Sequence, residues 1–264
     1  MFSVKTPILI LSLLLGFVPA YASEPVIAII IDDLGQQRRA GLAATDLPGP
    51  VACSVLPHTP WAAEIADSAN QAGKEVMLHL PLQAMAKDSP ASSGQISLDT
   101  SRDEMSLLLT ESLNSVPHVV GINNHMGSLI TRHPGHMNWL MEDIAAHGGL
   151  FFIDSYTTAQ SVGLVLAVEH GIPAARRNVF LDADNSEAAI REQFERLIRL
   201  AKRDGRALAI GHPYPDTLKV LSEELPELSQ RGVKLLSIAE YLALTQTPAA
   251  AQTAGNIVSP ALPN

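Results

Sequence analysis

The stretch VIAIIIDD, residues 26–33, joins an apolar run directly to two adjacent carboxylates, Asp32 and Asp33. A continuous apolar run of this length is typical of a strand that is buried on both faces, as strands of parallel sheets are. Carboxylates are costly to bury, so two of them at the end of such a strand need an explanation. One explanation is a cap or turn before a helix near Gln36, and the other is a functional site.

Apolar runs and helical patterns alternate along the rest of the chain. This alternation predicts one α/β domain with a parallel sheet and right-handed crossovers, and seven or eight strands can close such a sheet into a barrel. Ligands of such folds bind beyond the carboxyl ends of the strands. We predict strands at 26–31, 51–56, 75–80, 119–123, 150–154, 178–182, 207–211 and 233–236.

Three segments carry clear helix signals. SRDEMSLLLTESL has the spacing of a capping box at Ser101 and Glu104, and PGHMNWLMEDIAAHG has Pro134 near its start and Gly148 at its end. SEAAIREQFERLIRLAKRDG is amphipathic and ends at Gly205. The segment 84–100 has no pattern and is predicted to be a surface loop.

The two ends of the chain differ from the predicted domain at 23–244. A single cation, Lys5, precedes an apolar stretch at 7–18, and small residues stand at 20–22, which is typical of a cleaved signal peptide at 1–22. We therefore expect a periplasmic or secreted protein. The last residues, 245–264, are small, polar and aperiodic, and they are predicted to form a disordered tail.

Charge excludes some classes of partner. The chain has 18 Lys+Arg and 27 Asp+Glu, and without Lys5 the balance is 17 − 27 = −10. Such a chain is a poor candidate for binding nucleic acid or an anionic membrane surface, and no second apolar segment of membrane length follows the first. The one cysteine, Cys53, lies in an apolar run and is predicted to be a core residue.

Polar residues cluster where the predicted strands end. In a parallel architecture these ends meet at one mouth, so the joint pattern is more informative than any single residue. The residues are Asp32 and Asp33 after the first strand, His79 after the third, Asn123, Asn124 and His125 after the fourth, Asp154 and Ser155 after the fifth, and His212 after the seventh.

This set of residue types suits metal-assisted hydrolysis. One carboxylate and two imidazoles form a catalytic zinc shell with an open position, and a neighbouring unligated carboxylate can accept the proton of water. Because consecutive side chains on a strand point to opposite faces, Asp32 and Asp33 need not compete for one ion.

The motifs IAIIIDDLG, HLPLQ, GINNHMGS, FFIDSYTT and AIGHPYP, in this order, resemble the divergent polysaccharide deacetylase family. The resemblance covers about residues 26–242. Members of that family are related to carbohydrate esterases that remove N-acetyl groups from chitin-like and peptidoglycan sugars. The resemblance implies a distorted (β/α) barrel of about seven parallel strands that holds a divalent metal, usually zinc.

The resemblance also implies roles for individual residues. Asp32 maps to the catalytic base, Asp33 to a metal ligand, and His212 to the acid that protonates the leaving amine. The main deacetylase families carry a second ligand histidine four residues after the position of His79, where this chain has Gln83. The Arg-Pro motif of those families is also absent, and His125 is the expected replacement ligand.

Several of these residues have simpler alternatives. His79 could be a core histidine, Asp154 could cap the next helix, and Asn123 and Asn124 could hold their loop. We retain Asp154 as a candidate catalytic residue and Asn123, Asn124 and Ser155 as candidate substrate-binding residues. His58 is the alternative metal ligand, and His118, His133, His136, His147 and His170 are expected at the surface.

Two functional hypotheses follow. The first is an exported metal-dependent deacetylase of peptidoglycan or another N-acetylated polysaccharide, with Asp33, His79 and His125 holding the metal. The second is a non-catalytic protein of the same fold that binds glycan or a protein partner in the cell envelope.

Overall fold

The computed structural model of the protein describes residues 24–85 and 92–244. The predicted signal peptide at 1–22 and the predicted tail at 245–264 lie outside the described residues, as does the middle of the loop predicted at 84–100. None of the helices within the described ranges has the length and apolarity needed to cross a membrane.

The strands form one sheet in which every pairing is parallel. Along the sheet the order is β6-β5-β4-β3-β2-β1-β8-β7, and β9 pairs with β1. This confirms the predicted α/β fold. The strands are β1 (Val26–Leu34), β2 (Ala52–Val55), β3 (Val76–Leu82), β4 (Val119–Met126), β5 (Phe151–Asp154), β6 (Ala174–Arg176), β7 (Val179–Phe180), β8 (Arg206–Gly211) and β9 (Lys234–Leu235).

Strand β6 is the one described strand that the sequence pattern did not predict. It has three residues, only one of which is fully buried, so it leaves no apolar run to recognise. Two residues connect it to β7 at the other end of the strand order. The N–H of Arg177 donates to the carbonyl of Asp154 in β5, and the N–H of Asn178 donates to the carbonyl of Leu208 in β8. This link brings the two edges of the sheet together and curls it into a distorted barrel.

The helices alternate with the strands, as predicted. The capping box at Ser101 and Glu104 is present at the start of α3. Pro134 begins α4, and Gly205 ends α6 in the left-handed conformation with φ of 82°. The helices are α1 (Arg38–Thr45), α2 (Ala62–Gln71), α3 (Arg102–Ser115), α4 (Pro134–His147), α5 (Gly163–Glu169), α6 (Glu187–Asp204), α7 (Pro215–Glu224) and α8 (Ile238–Ala243).

Strand β1 is apolar from Val26 to Ile31 because both of its faces are covered there. Ile27, Ile29 and Ile31 belong to the larger core cluster, which also contains most of the buried residues of α6. Ala28 and Ile30 belong to a second cluster inside the barrel. Alternation along the strand therefore directs the next even-numbered position, Asp32, towards the barrel interior at its mouth.

Candidate active site

Asp32 and Asp33 both face the mouth of the barrel, so the expectation that they point to opposite faces is wrong. The register of β1 against β2 shifts between Ile31 and Leu34, and Asp33 has φ of 58°. A bulge with a left-handed residue re-aims the side chain at that position. As a result, His79 Nε2 lies 3.6 Å from Asp32 Oδ2 and 3.2 Å from Asp33 Oδ1.

Asp33, His79 and His125 converge on one point. Asp33 Oδ1 lies 2.9 Å from His125 Nδ1 and 3.2 Å from His79 Nε2, and these two imidazole nitrogens are 3.2 Å apart. In the described part of the chain, these three residues form the group of histidine and carboxylate side chains that could hold a metal ion. The structure thus brings together the three predicted ligands.

The spacing of the three atoms fits a metal. Tetrahedral zinc with bonds of about 2.0 Å separates its ligand atoms by roughly 3.3 Å, which matches the observed separations. Asp33 Oδ1 is also buried without a well-formed hydrogen bond to any described residue. A buried carboxylate oxygen of this kind needs a partner, and a cation between the three atoms would supply one.

Asn123 connects the candidate ligand His79 to the candidate base Asp32. It lies beside His79 in the register of β4 against β3. Its Oδ1 is 3.0 Å from His79 Nδ1 and accepts a hydrogen bond from Ser54, while its Nδ2 donates to Asp32 Oδ1 at 2.8 Å. Since an amide oxygen only accepts, His79 carries its proton on Nδ1 and leaves Nε2 free to bind a metal.

The surroundings change the pKa values of the two aspartates in opposite directions. Burial raises the pKa of Asp32, although the nearby His79 and His212 and the hydrogen bond from Asn123 oppose this change. Burial alone would also raise the pKa of Asp33, but the close approach and positive charge of the His125 and His79 imidazoles hold it well below its usual range. Asp33 is therefore suited to remain a charged ligand, and Asp32 to accept a proton.

His212 is held by Asp182, a residue that the sequence analysis did not single out. Asp182 Oδ1 lies 2.9 Å from His212 Nδ1, and Asp182 Oδ2 accepts the His212 N–H and the Thr217 hydroxyl. Burial lowers the pKa of His212, but the hydrogen bond and charge of Asp182 outweigh it, so the pKa is raised. Asp182 ends the predicted strand 178–182. The criterion that selected the other candidates, a polar residue at the end of a predicted strand, therefore also applies to Asp182.

Three predicted site residues lie beneath the mouth rather than on its surface. Asp154 accepts hydrogen bonds from the Tyr156 N–H and the Ser161 hydroxyl in the loop after β5, and a longer one, at 3.4 Å, from the Leu164 N–H of α5, whose N-cap is Val162. The side chain of Asn124 accepts the Ser155 N–H, and all three predicted residues are at most 5% exposed. This placement suits residues that hold the loop after β5, and catalytic or substrate-binding roles for them remain predictions.

Two further positions bear on the metal ligands. His58, the alternative ligand, is exposed and lies outside the convergent group, with its N–H donating to Ser115. That alternative is therefore wrong for this structure. The Gln83 side chain accepts a hydrogen bond from the Leu98 N–H and holds the loop beside β3. The position that carries a second ligand histidine in the main deacetylase families therefore has a structural role in this chain.

Comparison with known proteins gives a matching family and a similar relative. The model of the divergent polysaccharide deacetylase family matches residues 29–242. The chain is 38% identical over 205 residues to the uncharacterized protein YibQ of Escherichia coli (strain K12), a match that covers 76% of this chain and 64% of YibQ. The chain therefore spans less than two thirds of the length of that relative.

Solved structures show the same fold. The crystal structure of the uncharacterized protein ATU2773 from Agrobacterium tumefaciens C58 has a TM-score of 0.79 at 22% identity, covering 84% of this chain and 91% of that one. The catalytic domain of a peptidoglycan N-acetylglucosamine deacetylase from Eubacterium rectale ATCC 33656 has a TM-score of 0.53 at 15% identity, covering 81% and 89%. At these identities the similarity shows the fold alone.

Proposed function

This chain belongs to the divergent polysaccharide deacetylase family, and we propose that it is a metal-dependent hydrolase that removes acetyl groups from N-acetylated glycans. The observation that carries the proposal is the convergence of Asp33, His79 and His125 within hydrogen-bonding distance of one another, next to a separate buried carboxylate, Asp32. A purely structural cluster would not need a second carboxylate with a raised pKa.

Asp33, His79 and His125 would hold the divalent metal, with zinc the best match to this ligand set. When bound, the metal supplies Lewis-acid polarisation of the acetamide carbonyl and lowers the pKa of water. Asp32 takes the proton of the attacking water, because its carboxylate is adjacent to the ligands and its pKa is raised. Asn123 holds the Asp32 carboxylate and the His79 imidazole in fixed positions through hydrogen bonds to both.

His212 is placed to protonate the leaving amine. Its Nδ1 side faces Asp182, and its Nε2 lies 3.7 Å from Asp33 Oδ2, so the reactive nitrogen points at the metal end of the site. The carboxylate of Asp182 stabilises the imidazolium and favours the proton-bearing form. An amine must be protonated as it departs, so this group matters most for amide substrates.

The test is release of acetate and a free amine from chitin oligomers and peptidoglycan fragments by the purified protein. Activity should disappear on chelation and return with added zinc. His212→Ala should slow cleavage of the amide far more than cleavage of an activated acetate ester, whose leaving group needs no proton. His147→Ala, which removes an exposed histidine at the end of α4, is the matched control and should behave like the unmodified protein.

A protein that binds zinc tightly but cleaves neither amide nor ester would contradict the hydrolase proposal. In that case the non-catalytic glycan- or envelope-binding alternative would stand, and binding of the same oligomers would be the next measurement.

We also propose that the protein is exported, on the basis of the signal-peptide pattern at 1–22. Pulse-labelled cells should contain a precursor that shortens by about 22 residues on export. A full-length chain that stays in the cytoplasm would contradict export but would leave the hydrolase proposal intact.

A further inference from the structure

One cavity beside the candidate site is lined by two arginines that form no ion pair with a described carboxylate. It encloses about 360 Å³ between α6 and the link that joins β6 to β7, and both Arg177 and Arg196 line it. Within the described ranges, five of the twelve arginines form ion pairs with carboxylates and seven form none, and of these seven Arg177 and Arg196 line this cavity. The paired arginines are Arg38, Arg102, Arg191, Arg203 and Arg231.

The two guanidinium groups retain most of their hydrogen-bond donors. A guanidinium has five N–H donors. Arg177 donates from Nε to the Ser155 carbonyl at 2.7 Å and from Nη2 to the Tyr156 carbonyl at 3.0 Å. Arg196 donates once, to the Gln193 side chain at 3.3 Å. The unused donors have no acceptor among the described side chains, although both groups border the same cavity.

The electrostatics of the cavity favour an anion. Burial lowers the pKa of Arg177, the charges of Asp32 and Asp154 oppose this, and the positive charge of Arg196 lowers it further. The two cations therefore repel each other in a protein whose net charge is −9. Asp184 is the acidic residue in the described lining, and its carboxylate is exposed and accepts the Ser186 N–H.

Phe180 connects this cavity to the candidate catalytic histidine. Its ring lies 5.2 Å from the ring of His212 in an edge-to-face arrangement, and the guanidinium of Arg177 lies 4.8 Å from the centre of the same ring. Phe180 also lines the cavity. A ligand at His212 could therefore extend past Phe180 to the two arginines.

We propose that this cavity, which we call the arginine cavity, binds an oxyanion substituent of the glycan. Guanidinium groups bind carboxylate and phosphate oxygens through paired N–H donors, so either group would be recognised. The preferred substrate would then be an acidic N-acetylated glycan rather than neutral chitin. This inference rests on the proposed function, because it assumes that a glycan occupies the neighbouring site.

The test measures binding to the zinc-loaded mature protein by calorimetry, independently of turnover. One ligand pair is the disaccharide of N-acetylglucosamine and N-acetylmuramic acid, with its carboxyl intact or reduced to an alcohol. The other pair is N-acetylglucosamine with and without a 6-phosphate. At least one acidic ligand should bind about five- to twentyfold tighter than its neutral partner, as expected for a charge-assisted contact. The pair that shows the preference identifies the anion.

Arg196→Gln should abolish most of that preference while leaving the neutral ligands within about twofold, since one charged contact is removed. Arg199→Gln is the matched control, because Arg199 is exposed on the same helix and does not line the cavity. Both substitutions are at exposed positions, and thermal unfolding checks that both variants fold.

Equal binding of acidic and neutral ligands, no binding of either acidic ligand, or equal effects of the two substitutions would overturn the proposal. The two proposals can fail separately. A protein that prefers acidic ligands but never cleaves them supports the arginine cavity and contradicts the hydrolase. A protein that deacetylates neutral oligomers without any acidic preference contradicts the arginine cavity alone.

Discussion

Two pairs of histidines in this molecule have nearly the same geometry and different surroundings. The rings of His79 and His125 are 4.9 Å apart and inclined at 71°, and those of His133 and His136 are 4.6 Å apart and inclined at 81°. In each pair two ring nitrogens approach closely, at 3.2 Å and 3.0 Å. The contact between imidazoles alone therefore does not distinguish a site from a structural feature.

The two histidine pairs differ in their contacts with carboxylates. His79 and His125 both contact Asp33, at the carboxyl ends of strands that converge at the mouth. His133 instead caps α4, where its Nδ1 accepts the His136 N–H, and His136 packs against Trp139. Within the described residues neither member of the second pair contacts a carboxylate. His136 is also buried, so its expected surface position is wrong.

Asp33→Asn should have the largest effect on the difference between the two histidine pairs, because it changes the carboxylate that His79 and His125 share. An amide oxygen is a neutral and poorer donor than a carboxylate, so the first pair would come to resemble the second. We expect zinc affinity to fall by more than the roughly 10- to 100-fold loss that follows removal of a partner outside the ligand shell. Competition with a chromogenic chelator measures this affinity, and unchanged affinity would show that Asp33 is not a ligand.

Asp32→Asn should separate metal binding from catalysis. The three ligand side chains are untouched, so zinc content should stay near that of the unmodified protein. Turnover of an N-acetyl glycan should fall by about 10² to 10⁴, the usual contribution of a general base. Zinc content and kcat are measured on the same preparation. Loss of zinc with Asp32→Asn and retention with Asp33→Asn would reverse the two roles.

Asn123→Leu should have an intermediate effect, because it removes the hydrogen bonds to His79 and Asp32 while all three proposed ligand side chains stay in place. Zinc affinity should fall roughly 10- to 100-fold, the usual cost of losing a partner that orients a ligand imidazole. The chelator competition is repeated, with thermal unfolding as a check on folding. A folded variant with unchanged zinc affinity would mean that Asn123 does not position His79.

His133→Ala should have the smallest effect and acts only on the second pair. Loss of an N-cap costs about 1 kcal/mol of unfolding free energy, and zinc affinity should not change. Urea unfolding and the chelator competition measure the two quantities. A weakened zinc site in this variant would contradict the separation of the two pairs.

Local sequence patterns were sufficient to predict most of the strands and helices. The run at 26–31, the capping box at Ser101 and the glycine at 205 each depend on neighbours within a few residues, and each appears in the structure as predicted. Strand β6 escaped prediction because three small or exposed residues leave no periodic signal. The three proposed metal ligands could also be predicted from the sequence, because residues at the carboxyl ends of parallel strands meet at one mouth whatever the order of the strands in the sheet.

The sequence by itself determined that apolar strands carry Asp32, Asp33, His79, His125 and His212 to a common edge. Only the tertiary structure decided how these side chains are used. The left-handed turn at Asp33, the bond from Asn123 to Asp32 across 91 residues and the pairing of Asp182 with His212 depend on the sheet's register and curvature. These are properties of the assembled sheet, because contacts between distant residues have no signature in local periodicity.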